Sequence, residues 1–262
     1  MPPVGGDGAP PALAEWRQVE ADLDDGPSAR AAIGLIVLEN DITIEREVHR
    51  LLPDEGVGLY VGRIGYPPPF GIAAIRAMEE RLPAAAAAVM PDDRLDVMAF
   101  GCTACAMTLG AEAVDARIHE TRPGIAVTDP VRAALKGLRA LGAKRIAMLT
   151  PYPDEVNGVV ARYMAEQGFE VIAGASFRRQ GDADIARTPP AAVRAAALEL
   201  ARSGVDAVFA SGTAMRAAAA IQAIEDETGI PVVSSNQALA WDCLRLAGCM
   251  DPVPRFGRLM TL

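Results

Sequence analysis

Short apolar runs alternate with alanine-rich helical stretches along this chain, and that alternation restricts it to a parallel-sheet fold. Residues 32–39, 56–64, 95–101, 124–128, 145–151, 170–177, 206–211 and 230–235 read as strands. Helical patterns cover residues 71–89 up to their proline, a stretch opening near Thr103, and residues 129–143, 154–169, 189–204, 216–229 and 236–248. Strands separated by helices of about ten to fifteen residues are βαβ units. The right-handed crossover then puts helices on both faces of a sheet. Local signals agree with the pattern: Asp129 is placed to cap a helix begun by Pro130, and Gly142 to end it.

The alternation also repeats itself. "DVMAFGCTACAM" (96–107) and "DAVFASGTAMRA" (206–217) each run from an Asp through an apolar strand to a small-residue turn and a Thr. Asp96 maps to Asp206, Cys102 to Gly212 and Thr103 to Thr213, an offset of 110 that falls to 105 by Gly124 and Gly229. A period this long is not that of a solenoid. It points to an α/β protein of two similar halves related by a pseudo-twofold axis. The expected division is a flexible N-terminal arm over 1–30, a first half over 31–130 plus 236–262, and a second over 131–235. A short helix around Trp16 is the one element expected in the arm.

Composition narrows the partners. The chain has 262 residues, 51 % of them hydrophobic, and a formal net charge of −9. Such a balance argues against nucleic acid or an anionic membrane surface as the main partner, since both need a basic face. No apolar run approaches a membrane span and no signal peptide is visible, so a cytoplasmic location is expected. The four cysteines are Cys102, Cys105, Cys243 and Cys249. Cys102 and Cys105 form a C-x-x-C without a second pair or a nearby His, so zinc is not expected and a redox pair is weakly supported. No G-x-G-x-x-G follows a strand and no Walker loop exists, so no nucleotide cofactor is expected.

Both repeated turns fall beyond the carboxyl ends of strands, where open parallel sheets bind ligands. Each is expected to open a helix, whose free N–H groups and positive dipole end attract anions. A cysteine at such a place is expected to hold a populated thiolate. Cys102 is therefore the candidate nucleophile or proton donor, set against the plainer reading of a small core residue. Thr103, Ala104, Thr213 and Ala214 are candidate donors to carboxylate oxygens. Cys105, Cys243 and Cys249 read as packing, and His49 and His119 as surface residues, which disfavours a Cys–His hydrolase.

The motif "GCTA" after a strand, the "SGT" turn 110 residues later, "TPYPDEVN" (150–157) and "SSNQALAWDCLRLAG" (234–248) resemble the aspartate/glutamate racemase superfamily. Within it, they look like the branch of maleate cis–trans isomerases, ectoine-utilisation proteins and arylmalonate decarboxylases. The resemblance covers roughly residues 31–250. It implies a cofactor-free pair of Rossmann-like halves with the site in the cleft between them, a small carboxylate or dicarboxylate as substrate, and a homo-oligomer. It further implies that Cys102 is the first-half thiol that adds to a substrate double bond. Tyr152 would hydrogen-bond a substrate carboxylate, Asn157 would be a nearby polar ligand, and Asp41 would fall near an Asn that isomerases use.

Gly212 departs from the isomerase pattern, which carries a second Cys there. Three readings stay open. The chain is a maleate isomerase-like enzyme impaired by, or altered at, that position; or a single-cysteine decarboxylase, although that branch keeps its one Cys on the opposite half; or a carboxylate-binding relative without turnover.

Overall fold

The computed structural model describes residues 16–67 and 71–262. It contains two four-stranded parallel sheets with the same strand order. The first sheet is ordered β2-β1-β3-β4, with β1 Ala31–Leu38, β2 Val57–Ile64, β3 Val97–Gly101 and β4 Ala126–Thr128. The second is ordered β6-β5-β7-β8, with β5 Arg145–Thr150, β6 Glu170–Ser176, β7 Ala207–Ala210 and β8 Val232–Ser234. The continuous apolar runs β1 and β3 are buried along their whole length, as strands covered on both faces must be. The edge strand β2 is half-buried over most of its length.

The repeat is visible at the level of single bonds. Asp96 Oδ2 accepts from the N–H of Ala32 at 2.8 Å, fixing the start of β3 to β1. Asp206 Oδ2 accepts from Lys144 and Arg145 at 2.9 and 2.7 Å, fixing the start of β7 to β5 in the same way. Gly124 and Gly229, the other matched pair, both hold positive φ, at 76° and 70°. The two aspartates that announce the repeat are therefore strand clamps.

Helices divide the interior into three apolar clusters. The helices α2 Ile72–Glu79, α3 Leu82–Ala88, α4 Thr103–Leu109 and α5 Ala111–His119 cover the outer face of the first sheet. The helices α9 Pro190–Ala201 and α10 Ala218–Thr228 cover the outer face of the second. Between the sheets lie α1 Ile44–Leu51, α6 Pro130–Ala140, α7 Asp154–Glu166 and α11 Ser235–Leu246. That central cluster joins Leu35 and Ala99 of one sheet to Met148 and Phe209 of the other. Helix α11 is buried from Ser235 to Leu244, and its polar residues there, Asn236, Gln237 and Asp242, all find hydrogen-bond partners. Its Asp242 accepts from Lys136 Nζ of α6 at 3.0 and 2.9 Å and from Thr128 Oγ1 of β4 at 2.5 Å.

Several expectations need correction. The helix expected from 71 up to the proline ends at Glu79, and a second helix continues past it, because Pro83 sits in the first turn of α3, where a missing N–H costs nothing. The stretch after Thr103 breaks at Gly110, whose φ is 82°. The six-residue helix α8, Asp182–Arg187, carries no periodic signal and was not expected. Trp16 is in an irregular segment and 93 % exposed, not helical, and the rest of the arm before it lies outside the described residues. Among the described residues no helix is long and apolar enough to cross a membrane.

Glu47 is the polar tie across the middle. In α1 the buried positions Ile44, Glu47, Val48 and Leu51 follow the spacing of one helical face. Glu47 Oε1 accepts from the N–H of Ala218, the first residue of α10, at 3.1 Å, and Oε2 accepts from Asn236 Nδ2 at 2.9 Å. Burial outweighs these donors and pushes its pKa from 4.5 up to about 7. The folded form thus holds the proton more tightly than the unfolded chain. Stability from this group is complete below pH 4.5 and is lost as pH rises through about 7. Glu47→Gln removes the titration, so its stability relative to wild type should improve by roughly 3 kcal/mol between pH 4.5 and 8. Urea unfolding at both pH values measures this, and a constant gap would show that Glu47 titrates normally.

Candidate active site

A cavity of about 340 Å³ opens where the carboxyl ends of the four central strands converge. Leu38 ends β1, Cys102 to Ala104 follow β3, Pro151 to Pro153 follow β5, and Gly212 to Ala214 follow β7. Each central strand thus delivers one wall. The remaining lining comes from Asn40, Tyr66, Val156, Ile185 and the segment Arg179–Asp182.

Cys102 is the N-cap of α4, with extended backbone at φ −141° and ψ 113°. Its Sγ accepts from the N–H of Cys105 at 3.4 Å. The Cys102 thiol lies 2.8 Å from the Cys105 sulfur and donates to it. This contact, and then burial, push the Cys105 pKa far up, so Cys105 stays a thiol and becomes the donor when Cys102 carries the charge. Negative charge on Cys102 Sγ therefore meets two donors and the positive end of a helix. Cys102 is 5 % exposed and borders the cavity, while Cys105 is 0 % exposed and turned into the core. Thr103 and Ala104 occupy the first two positions of α4, where N–H groups have no intrahelical acceptor.

The second turn differs from the first more than the sequence implies. Helix α10 begins only at Ala218, so the Gly212 turn does not open a helix directly. The amino end of α10 is taken by the Glu47 carboxylate. What this turn offers instead is the bare backbone of Thr213 and Ala214, whose N–H groups have no backbone acceptor among the described residues. Gly212 itself holds φ +134°, a conformation L side chains rarely adopt. A β-carbon there would lie 3.1 and 3.2 Å from Cγ and Cδ of Pro151, and 3.3 Å from the Tyr152 hydroxyl. The phenol thus stands where a side chain at 212 would project. Burial first, and then the Cys102 sulfur, raise the Tyr152 pKa, so the phenol keeps its proton and acts as a donor.

Ser235, at the start of α11, joins the two turns. Its Oγ accepts from the N–H of Gly212 at 2.9 Å and from Thr103 Oγ1 at 3.4 Å. Asn236 Nδ2 donates to the carbonyl of Thr213 at 2.8 Å as well as to Glu47. The backbone N–H of Gly212 is therefore committed to the protein.

Two candidate ligands lie off the cavity wall. Asn157 is behind Tyr152: its Nδ2 donates to the Tyr152 carbonyl at 3.0 Å, and its Oδ1 accepts from Thr150 Oγ1. Asp41 is buried and caps α1, with Oδ1 accepting from Thr43 and Ile44 at 2.8 and 3.0 Å. Its neighbour Asn40 lines the cavity and donates to the Tyr66 hydroxyl at 2.8 Å. One residue of register separates the expected position from the observed one. His49 and His119 do not border the cavity. The sequence pattern does not single out Asn40, Tyr66, Arg179, Asp182 or Ser235. Asn40, Tyr66 and Arg179 come from irregular connections that carry no periodicity, Asp182 opens the short helix α8, and Ser235 lies within the stretch 234–248.

The family described as arylmalonate decarboxylase matches this chain over residues 83–260. The chain belongs to that family. It is 30 % identical to the maleate isomerase of Nocardia farcinica over 241 residues, which is 87 % of this chain and 94 % of that one. It is 36 % identical to the arylmalonate decarboxylase of Bordetella bronchiseptica over 140 residues, covering 52 % of this chain and 58 % of the relative. In structure it is similar to a Cys→Ser mutant of Nocardia farcinica maleate cis-trans isomerase with a covalently bound succinylcysteine intermediate. The TM-score is 0.79 at 26 % identity, covering 88 % of this chain and 98 % of that one. The family therefore includes enzymes of both kinds, and the two-sheet architecture is theirs.

Two measurements probe this site. Iodoacetamide at pH 7 is expected to alkylate Cys102 first, and Cys105 and Cys243 only on unfolding; peptide mass spectrometry giving equal rates would remove Cys102 as the reactive thiol. Gly212→Cys is expected to destabilise the chain by roughly 1–3 kcal/mol, because the backbone conformation and Pro151 both oppose a side chain. An unchanged urea midpoint would show that the turn relaxes freely.

Proposed function

We propose that this chain is a cofactor-independent isomerase of the maleate type, acting on a small dicarboxylate through the Cys102 sulfur. The observation that carries this reading is the placement of Cys102. It caps α4 on the wall of a cavity that Tyr152, Thr213 and Ala214 also line. Similarity over 94 % of a maleate isomerase supports it.

On this reading each residue takes a role. The Cys102 thiolate adds to one carbon of the substrate double bond. The adjoining single bond rotates, and expulsion of the sulfur leaves the trans acid. Thr103 and Ala104 on one side, and Thr213 and Ala214 on the other, supply N–H groups to the two carboxylates. Tyr152 donates from the place where a second-half side chain would reach. Asn157 holds the Tyr152 backbone, and Asp41 holds the turn that presents Asn40; both act through a neighbour.

One feature favours a second reading. A single thiol on one wall suits a decarboxylase that protonates an enediolate from one face, and the local identity to an arylmalonate decarboxylase is the higher figure, 36 %. Proton NMR separates the two. Maleate should give fumarate, and Cys102→Ser should abolish the signal. Release of carbon dioxide from an arylmalonate, with maleate left untouched, would select the decarboxylase. Binding of both acids without turnover of either would leave a carboxylate-binding protein.

A further inference from the structure

Asp182 borders the cavity, and no step above uses it. Its carboxylate has no ion pair or hydrogen bond among the described residues, whereas its neighbour Asp184 pairs with Arg187. Its position is fixed by the backbone. The N–H of Phe177 donates to the Thr150 carbonyl at 3.0 Å, and that of Arg179 to the Pro151 carbonyl at 2.7 Å. The loop is thereby pinned to the end of β5, beside Tyr152. Arg178 takes φ +48° to turn the chain, and Gly181 accepts from Asp184 and Ile185 to start α8.

The groups facing Asp182 are mostly acidic or neutral. Tyr66, Cys105 and Tyr152 each feel its charge, and Asp41 adds a like charge from the end of β1. Cys102 lies on the wall with them. Among the described residues Arg179 is the one cation lining this cavity, and it is exposed and makes no ion pair with Asp182. Burial, and then Asp41, push the Asp182 pKa up to about 6. A bound dianion would disfavour its charged form further. An unpaired carboxylate in a site for carboxylates is repulsive unless it carries a proton.

A one-thiol isomerase has a matching need. Thiolate addition moves the π electron pair onto the far carboxylate, and no second cysteine is present to meet it. We propose that Asp182, in its protonated form, is the second acid of this site and shuttles one proton to and from the substrate carboxylate that receives that electron pair. The proposal rests on the isomerase reading. The S–C bond forms at C2, the C2=C3 pair moves into the C3 carboxylate, and the Asp182 O–H proton passes to its oxygen. After rotation about C2–C3 the proton returns to Asp182, the C2=C3 bond reforms and the S–C bond breaks. No proton, electron or co-reactant is consumed. Because the proton travels on oxygen, no acid is needed at position 212.

The test has a readout that does not require turnover. Succinate, an unreactive dicarboxylate, is titrated calorimetrically at pH 7 in two buffers of different ionisation enthalpy. Wild type should take up roughly one proton per site on binding, and Asp182→Asn none. Turnover is followed with maleate by NMR. Asp182→Asn should lower kcat by about 10²–10⁴-fold with little change in KM, and should lose the alkaline limb of the pH profile. Asp182→Glu should recover part of kcat. Equal proton uptake in wild type and Asp182→Asn, or an unchanged kcat in a variant with wild-type melting, overturns the proposal while wild-type fumarate formation leaves the isomerase reading standing. Absence of fumarate from wild type overturns both.

Discussion

The site depends on the first three residues of α11. Ser235 bridges the turn that carries Cys102 and the turn that carries Gly212. Asn236 ties the second turn to Glu47. Gln237 closes a capping box with Ser234 that fixes where the helix begins. All three side chains are buried, so each hydrogen bond is made in a medium where an unmet partner costs about 1–3 kcal/mol. That cost holds two halves in register. The apolar cluster between the sheets brings the halves together, but apolar contact is non-directional. The polar start of α11 is what sets the spacing between the two turns.

Within a fold of matched halves, the site is asymmetric. Both strand clamps, both strand orders and both glycine turns repeat. The chemistry does not. The first turn runs directly into a helix and presents a sulfur; the second runs through an irregular segment and presents amides. The difference lies in the backbone as much as in the side chain. At φ +134°, with Pro151 against it, position 212 is built around glycine, and Tyr152 fills the direction a side chain would take. A thiol cannot be added there without moving the wall that holds the phenol.

Much of this was legible in the sequence, and the boundary is physical. Asp129 followed by Pro130 marks a helix start because both the cap and the missing N–H are local requirements, and the structure shows Asp129 accepting from Val131 and Arg132. The alternation of strands and helices is likewise a local consequence of which faces are buried. The strand ends where ligands bind follow from topology, so the walls at Cys102 and Gly212 could be named, while Tyr152 came only from the family resemblance. Register within a turn could not. Asp41 and Asn40 are adjacent polar residues, and only the path of the chain decides which one caps α1 and which one faces the cavity. Arg179 and Asp182 lie in a connection shaped by a positive φ at Arg178 and by backbone bonds to Thr150 and Pro151. Such contacts are made between distant segments and leave no period to read.

On the proposed reading an acidic chain binds an acid, which sets an electrostatic problem for the cavity. A net charge of −9 repels anions at long range, but screening limits that repulsion to about 10 Å at ordinary salt. Inside the cavity the local count decides. Arg179 is the only cation on the wall among the described residues, so amide dipoles must carry most of the attraction. Dipoles fixed by the fold need no reorganisation when charge moves from one end of a substrate to the other. A second fixed cation would hold one carboxylate tightly and oppose the rotation that exchanges them. A wall of amides, a neutral phenol and a carboxyl group able to take a proton can serve either end in turn, which is what rotation about a central bond requires.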